Sequence, residues 1–211
     1  AADELATVAD LPRRPSGTAT PPSAADLATS GVAVTGATVV DVDRGARLAP
    51  VDLVARPGDL VALTGPSGAG KSTLLDLVRG VRTPDAGSVA VGGVSPTDLA
   101  PADRVALVRW VPQTPAALGP TVTASVALGL GAGADVEAAV DRAIDAVGLG
   151  ALAGTAPDRL SGGERRRVAT ARALAAARRG AAPVLLVDEP TAQLDPASGA
   201  RVIAALRAAA D

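Results

Sequence analysis

The run LVALTGPSGAGKST, residues 60–73, joins an apolar stretch directly to a glycine-rich loop and the loop directly to a helix-forming segment. So tight a junction restricts the flanking chain. The apolar stretch reads as a buried strand, the residues from Lys71 to Val81 read as a helix, and a strand running straight into a helix opens an α/β unit. Gly65, Gly68 and Gly70 let backbone N–H groups turn inward on an anion with no Cβ in the way, and the helix N-terminus brings partial positive charge to the same point. The spacing fits G-x-x-x-x-G-K-[ST], a loop that cradles nucleotide phosphates. Gly65, Pro66, Ser67, Gly68, Ala69, Gly70, Lys71, Ser72 and Thr73 are the candidate ligands of a nucleotide. Lys71 would reach between its β- and γ-phosphates, and the Ser72 hydroxyl is placed to ligate Mg2+.

Composition sharpens the reading of Lys71, which is the only lysine among twenty Lys and Arg residues. A compact ammonium on a flexible stem is retained where a broad, forked guanidinium does not fit. The chain has no His and no Cys, which leaves carboxylate, hydroxyl and carbonyl oxygens for a metal and points to a hard cation, Mg2+ above all. A net charge of -2 argues against a general binder of nucleic acid or of anionic membranes.

Two further stretches carry chemistry. PVLLVDEPT, residues 183–191, is an apolar strand ending in two carboxylates. Asp188 at the strand's end can hold the Mg2+ hydration shell, and Glu189, one residue on, can face an attacking water as general base. RLSGGERRRVATARALAAA, residues 159–177, places Ser161, Gly162 and Gly163 as a small, donor-rich cap on a helix, a second anion site. The arginines that follow, Arg165, Arg166 and Arg167, read as a solvated face.

The remainder is organised more loosely. ADELATVADLP, residues 2–12, has Leu5, Val8 and Leu11 at helical spacing, and RRPSGTATPPS, residues 13–23, reads as a linker, so the folded domain is expected from about Gly31. VAVTGATVV reads as a hairpin or two short strands, VDLVARPGDLVALTG as two strands around a turn at Arg56 to Asp59, and SVAVGG as a short strand. A helix is expected near Asp135 to Val147. No stretch reaches the 18 or so apolar residues of a membrane helix; VALGLGAGA, residues 126–134, is short and broken by glycine.

Taken in order, GPSGAGKST, LSGGE and LLVDEP resemble the ATP-binding cassette (ABC) family over about residues 31–211. The resemblance implies an α/β fold: a P-loop NTPase core with a mostly parallel sheet, an N-terminal antiparallel β subdomain, and an inserted helical subdomain over about residues 115–160. It implies an ATPase in which Gln113, in RWVPQTP, occupies the Q-loop and completes the Mg2+ shell with Ser72 and Asp188. It places Asp195, in TAQLD, in the D-loop near a dimer seam. Ser161, Gly162, Gly163 and Glu164 would close over the ATP held by the phosphate loop of a second nucleotide-binding domain, in a homodimer or heterodimer packed head to tail. Val42 falls near the position where the family stacks an aromatic on adenine, and the family's switch histidine would fall after Asp211.

Transport follows as an expectation. The amphipathic start and linker, residues 1–30, resemble the end of a transmembrane domain in the same chain, as in fused exporters at the cytoplasmic face of a bacterial membrane. WVPQTP with GPSGAGKSTLL resembles the thiol-reductant exporters linked to cytochrome bd assembly. An importer subunit is the alternative, and a soluble ABC ATPase acting on ribosomes or DNA is a third reading that the net charge does not favour.

Overall fold

The computed structural model describes residues 17–40, 47–116, 118–177 and 184–210. The helical segment expected at 2–12 and Val42 lie outside these residues. A short helix α1, Ala24–Ser30, is closed at its start by a capping box in which Ser23 and Asp26 bond each other's backbone. It leads through Gly31 into β1, Val32–Val40. The preceding residues lie on the fold, with Ala19 N–H donating to Asp98 O at 3.0 Å and Leu27 packed on the adjacent core.

β1 pairs antiparallel with β2, Arg47–Ala55, and with β3, Ala86–Val91, in the order β2-β1-β3. VAVTGATVV is thus one strand rather than two. Its Thr-Gly pair makes a bulge: Gly36 has φ +53°, the register against both neighbours slips there, and the Gly36 N–H donates to Asp52 Oδ1 at 2.7 Å. The slip keeps Val32 and Val34 on the buried face with Ala37 and Val39, although the two pairs are an odd number of residues apart. Against that face lies α2, Lys71–Val78, through Leu74, Leu77 and Val78. The helix ends three residues earlier than its sequence suggests, because Gly80 turns the chain with φ +66°.

The strand expected over residues 60–65 is a departure. The described backbone from 56 to 66 belongs to no strand, and Leu60 and Val61 remain 46% and 44% exposed. An apolar run becomes a strand only when a neighbour accepts its hydrogen bonds. Among the described residues the parallel sheet consists of β4, Val108–Val111, and β5, Val184–Val187, which pair with each other. β4 continues without a break from α3, Pro101–Leu107.

The helical layer follows β4. Its helices are α4, Val122–Ala127, capped by Thr121, α5, Ala134–Ala146, and α6, Gly162–Ala177. After β5 comes α7, Pro196–Ala210. Val126, Val140, Ile144, Leu174 and Val202 bring these helices into one core. α6 is the shared wall. It packs on α4, α5 and α7 and also on both parallel strands, where Ala169 and Ala173 meet Val111, Leu185 and Val187. Arg172 fastens it further by donating to Ser125 O at 2.8 Å and to Ser125 Oγ at 2.7 Å. Among the described residues no helix is long and apolar enough to cross a membrane.

A central helix with no room to collapse should be intolerant of cavities. Leu174, fully buried on α6, is expected to lose about 2–5 kcal/mol on Leu174→Ala. Leu128→Ala, at a side chain 50% exposed, should stay within about 0.5 kcal/mol of wild type. Urea denaturation of both variants tests the contrast.

Candidate active site

The phosphate loop is built by backbone conformation. Gly70 caps α2 in the left-handed region, φ 87°, with no side chain bonding the first turn, so the N–H groups there are left for a ligand. Gly68 also has positive φ, +79°, and a Cβ there would meet nothing within 4 Å, so the loop is open on that side. Lys71 reaches back from the first turn, its ammonium donating to Gly65 O at 2.7 Å and Pro66 O at 2.8 Å. Two of its three donors thus brace the loop, leaving the third for a ligand. Ser72, exposed, lies beside it in the same turn.

The carboxylates arrive by another route. β4 and β5 are parallel and in register, with Val111 opposite Val187, and Asp188 N–H extends the ladder to Val111 O at 3.0 Å. Gln113 and Glu189 consequently leave the sheet at one edge, where Gln113 Nε2 donates to Glu189 Oε2 at 2.6 Å. Glu189 sits at φ 49°, in the left-handed region that a residue with a side chain rarely adopts. Partial burial and the neighbouring Glu189 carboxylate push the Asp188 carboxyl above its ordinary value, with Asp76 adding to the rise and the Lys71 ammonium opposing it. Lys71, Asp188, Glu189 and Gln113 therefore share one electrostatic neighbourhood.

That neighbourhood fits a Mg2+ ion accompanied by phosphate. It offers hard oxygen donors at Ser72, Asp188 and Gln113, and a partly desolvated surplus of negative charge that a cation relieves. Among the described residues no three carboxylates converge on one point, so an ion there would take much of its shell from phosphate and water.

The LSGGE stretch forms a second group. Ser161 and Glu164 make a capping box at the start of α6: Ser161 N–H and Oγ–H donate to Glu164 Oε2 at 2.8 and 2.7 Å, and Glu164 N–H donates back to Ser161 Oγ at 3.3 Å. These bonds hold the Glu164 carboxyl below its usual range. Gly163 lies against the turn after β5, where a Cβ would come within 3.0 Å of Leu194 Cδ2. Asp195 follows and caps α7, accepting from Ser198 N–H at 2.9 Å, and the Ser198 side chain and backbone together lower its carboxyl. Ser161, Gly162, Gly163, Glu164 and Asp195 share a shallow cavity of about 440 Å³ with Gln193. No hydrogen bond or ion pair joins these side chains to Lys71 among the described residues.

The arginines need correction, since they are not a solvated face. Arg165 donates to Leu160 O at 2.7 Å, Arg167 to Val147 O and Gly148 O at 3.1 Å each, and Arg166 is buried, donating to Gln113 O and Ala192 O. The clue was periodicity: Arg166 stands three, four and seven residues before the buried Ala169, Thr170 and Ala173, on the same face of α6. A cavity of about 570 Å³ between α3, β4 and α6 is lined by residues outside both groups.

Comparison with known proteins identifies the family of the chain. The ABC transporter family profile matches residues 48–192. An ABC transporter ATP-binding protein of Streptomyces avermitilis is 42% identical over 70% of this chain and 57% of its own length. A mycobactin import ATP-binding/permease protein of Mycolicibacterium thermoresistibile is 42% identical over 75% of this chain and 28% of its own. A thiamine import ATP-binding protein of Brucella suis is 43% identical over 69% and 60%. Among solved structures, a bacterial Atm1-family ABC exporter with ATP bound aligns with all of this chain and 37% of its own, at TM-score 0.79 and 27% identity. The chain thus spans between about a quarter and three fifths of these relatives. With the P-loop NTPase architecture, the phosphate loop and the paired carboxylates in place, the chain belongs to the ABC transporter family and is an ATP-binding domain of that family.

Proposed function

We propose that this domain hydrolyses ATP in head-to-tail pairs and so powers movement of a solute across a membrane. The observation that carries the reading is the meeting of Gln113 with Glu189, 2.6 Å apart, at the sheet edge that also holds Asp188 within reach of the Lys71 charge. Residues 65–73 bind the triphosphate, with Lys71 on its terminal phosphates. Ser72, Asp188 and Gln113 would hold Mg2+, which supplies charge neutralisation at the transferred phosphoryl group. Glu189 takes the proton of the attacking water while the Gln113 amide fixes one of its oxygens.

Pairing is supported by the second group of residues. Ser161, Gly162, Gly163 and Asp195 lie on one surface with no bond to Lys71, so the phosphates they would cover belong to a second domain. Transmembrane domains complete the proposed assembly, at the cytoplasmic face of a cell membrane. Alignment of the whole chain with an exporter structure supports export and a fused arrangement. Import is the second reading, favoured by the thiamine and mycobactin importers among the relatives. The narrower resemblance to thiol-reductant exporters rests on WVPQTP and GPSGAGKSTLL alone. Transport of radiolabelled solutes into or out of inverted vesicles separates the two directions.

Two variants test the chemistry in the full-length protein. Glu189→Gln keeps size and removes basicity, so ATP affinity should stay nearly unchanged while single-turnover hydrolysis falls about 10²- to 10⁴-fold; hydrolysis surviving within a few-fold of wild type refutes the base. Asp188→Asn acts on stability as well. A carboxyl whose value is raised in the fold holds its proton there at pH values where the unfolded chain has released it. The nucleotide-free fold therefore loses stability as pH rises from the ordinary carboxylate value through the raised one, and carries the full penalty at neutral pH. Asp188→Asn should raise the neutral-pH melting temperature without nucleotide and flatten that pH dependence, while weakening Mg2+-dependent ATP binding. Thermal scans with and without MgATP read both effects.

A further inference from the structure

Arg166 is 4% exposed, and a buried guanidinium is costly unless its donors are met. No carboxylate forms an ion pair with it among the described residues, although its charge acts on the nearby Asp188 carboxyl. Arg166 instead spends its fork on two backbone carbonyls. Nε donates to Gln113 O at 3.1 Å, Nη2 donates to the same oxygen, and Nη1 donates to Ala192 O.

Those carbonyls belong to the two residues that hold Glu189. Gln113 grips its side chain, Nε2 to Oε2 at 2.6 Å, and the Ala192 N–H grips its backbone carbonyl at 3.1 Å. The result is a closed circuit: Arg166 fixes Gln113, Gln113 fixes the Glu189 carboxylate, Ala192 fixes the Glu189 backbone, and Arg166 fixes Ala192. Glu189 itself is strained at φ 49°, and such a conformation persists where surrounding contacts over-determine it. The circuit supplies that over-determination from one guanidinium 23 residues away in sequence.

We infer that Arg166 is a positioning residue for Glu189: by pinning the loops on both sides of it, the buried guanidinium sets the orientation from which the carboxylate takes the proton of water. Arg166 touches neither nucleotide nor water in this role. A lysine in its place keeps the charge but carries its donors on one nitrogen without the fixed directions of the fork, so it restores only part of the orientation. The inference rests on Glu189 being the base, and the test separates the two.

Single-turnover hydrolysis and ATP affinity are measured in the full-length protein for Arg166→Gln, Arg166→Lys, Glu189→Gln and the double variant Arg166→Gln/Glu189→Gln. Misplacing a reacting group by about 1 Å loses about 10²-fold, so Arg166→Gln should slow hydrolysis by about 10- to 100-fold. ATP affinity should stay within about threefold, because the triphosphate is held by the phosphate loop. Arg166→Lys should recover part of the rate. The double variant should be no more than about twofold slower than Glu189→Gln alone, because the two losses pass through one group. Arg166→Gln with a lowered melting temperature but a normal rate per folded molecule overturns the positioning role, as does a double variant whose losses multiply. Should Arg166→Gln fail to fold, a wild-type rate in Arg166→Lys overturns it equally. Normal hydrolysis in Glu189→Gln overturns the base assignment itself, and this inference with it.

Discussion

Val111 and Val187 end two strands that run in the same direction, and a parallel pair delivers whatever follows both strands to one edge of the sheet. Gln113 and Glu189 are 76 residues apart and meet only because of that pairing. An antiparallel pair would send the two segments to opposite ends. The register matters equally, since a slip of one residue would turn the side chains after each strand to the other face. The core enforces it: Leu185 and Val187 lie against Ala169 and Ala173 on α6, so the strands cannot shift without unpacking the helix that carries the LSGGE cap.

Arginine does structural work here that its surface reputation conceals. Arg165, Arg166, Arg167 and Arg172 all lie on α6 and all donate to backbone carbonyls of other segments, at Leu160, Gln113, Ala192, Val147, Gly148 and Ser125. A planar fork suits this task, because its donors point in fixed directions and can bridge two carbonyls at once. Each bond also satisfies an acceptor that a loop would otherwise leave open. At position 71 the need is different. There a single Nζ must fit between Gly65 O and Pro66 O, at 2.7 and 2.8 Å, and still face a ligand, a task for a point donor.

What was legible in the sequence is what is local. The phosphate loop, the paired acids at 188 and 189 and the LSGGE cap each lie within about ten residues, so spacing alone conveys their geometry, and β5 follows in the same way from its continuous apolar run. Pairing is not local. The run at 60–65 has the composition of a strand but no ladder partner among the described residues, and the bulge at Gly36 shows only against β2 and β3. The Arg166 circuit spans 53 residues to Gln113 and 26 to Ala192, and a run of three arginines reads as solvated unless its position on the α6 face is counted.

The cap of α6 shows how a polar group can be ready for a ligand without being free. Ser161 N–H and Oγ–H both donate to Glu164 Oε2, and these bonds lower the Glu164 carboxyl from its ordinary value. An anion arriving at this helix end therefore meets a carboxylate already in possession of the donors, and like charges repel across the same few ångströms. Binding there is an exchange in which Glu164 must turn away and Ser161 must change partners, giving up the stabilisation of the capping box for bonds to the newcomer. Arg166 stands two residues beyond Glu164 on the same helix, so the helix whose end would change partners is the one whose guanidinium bonds the loops around Glu189.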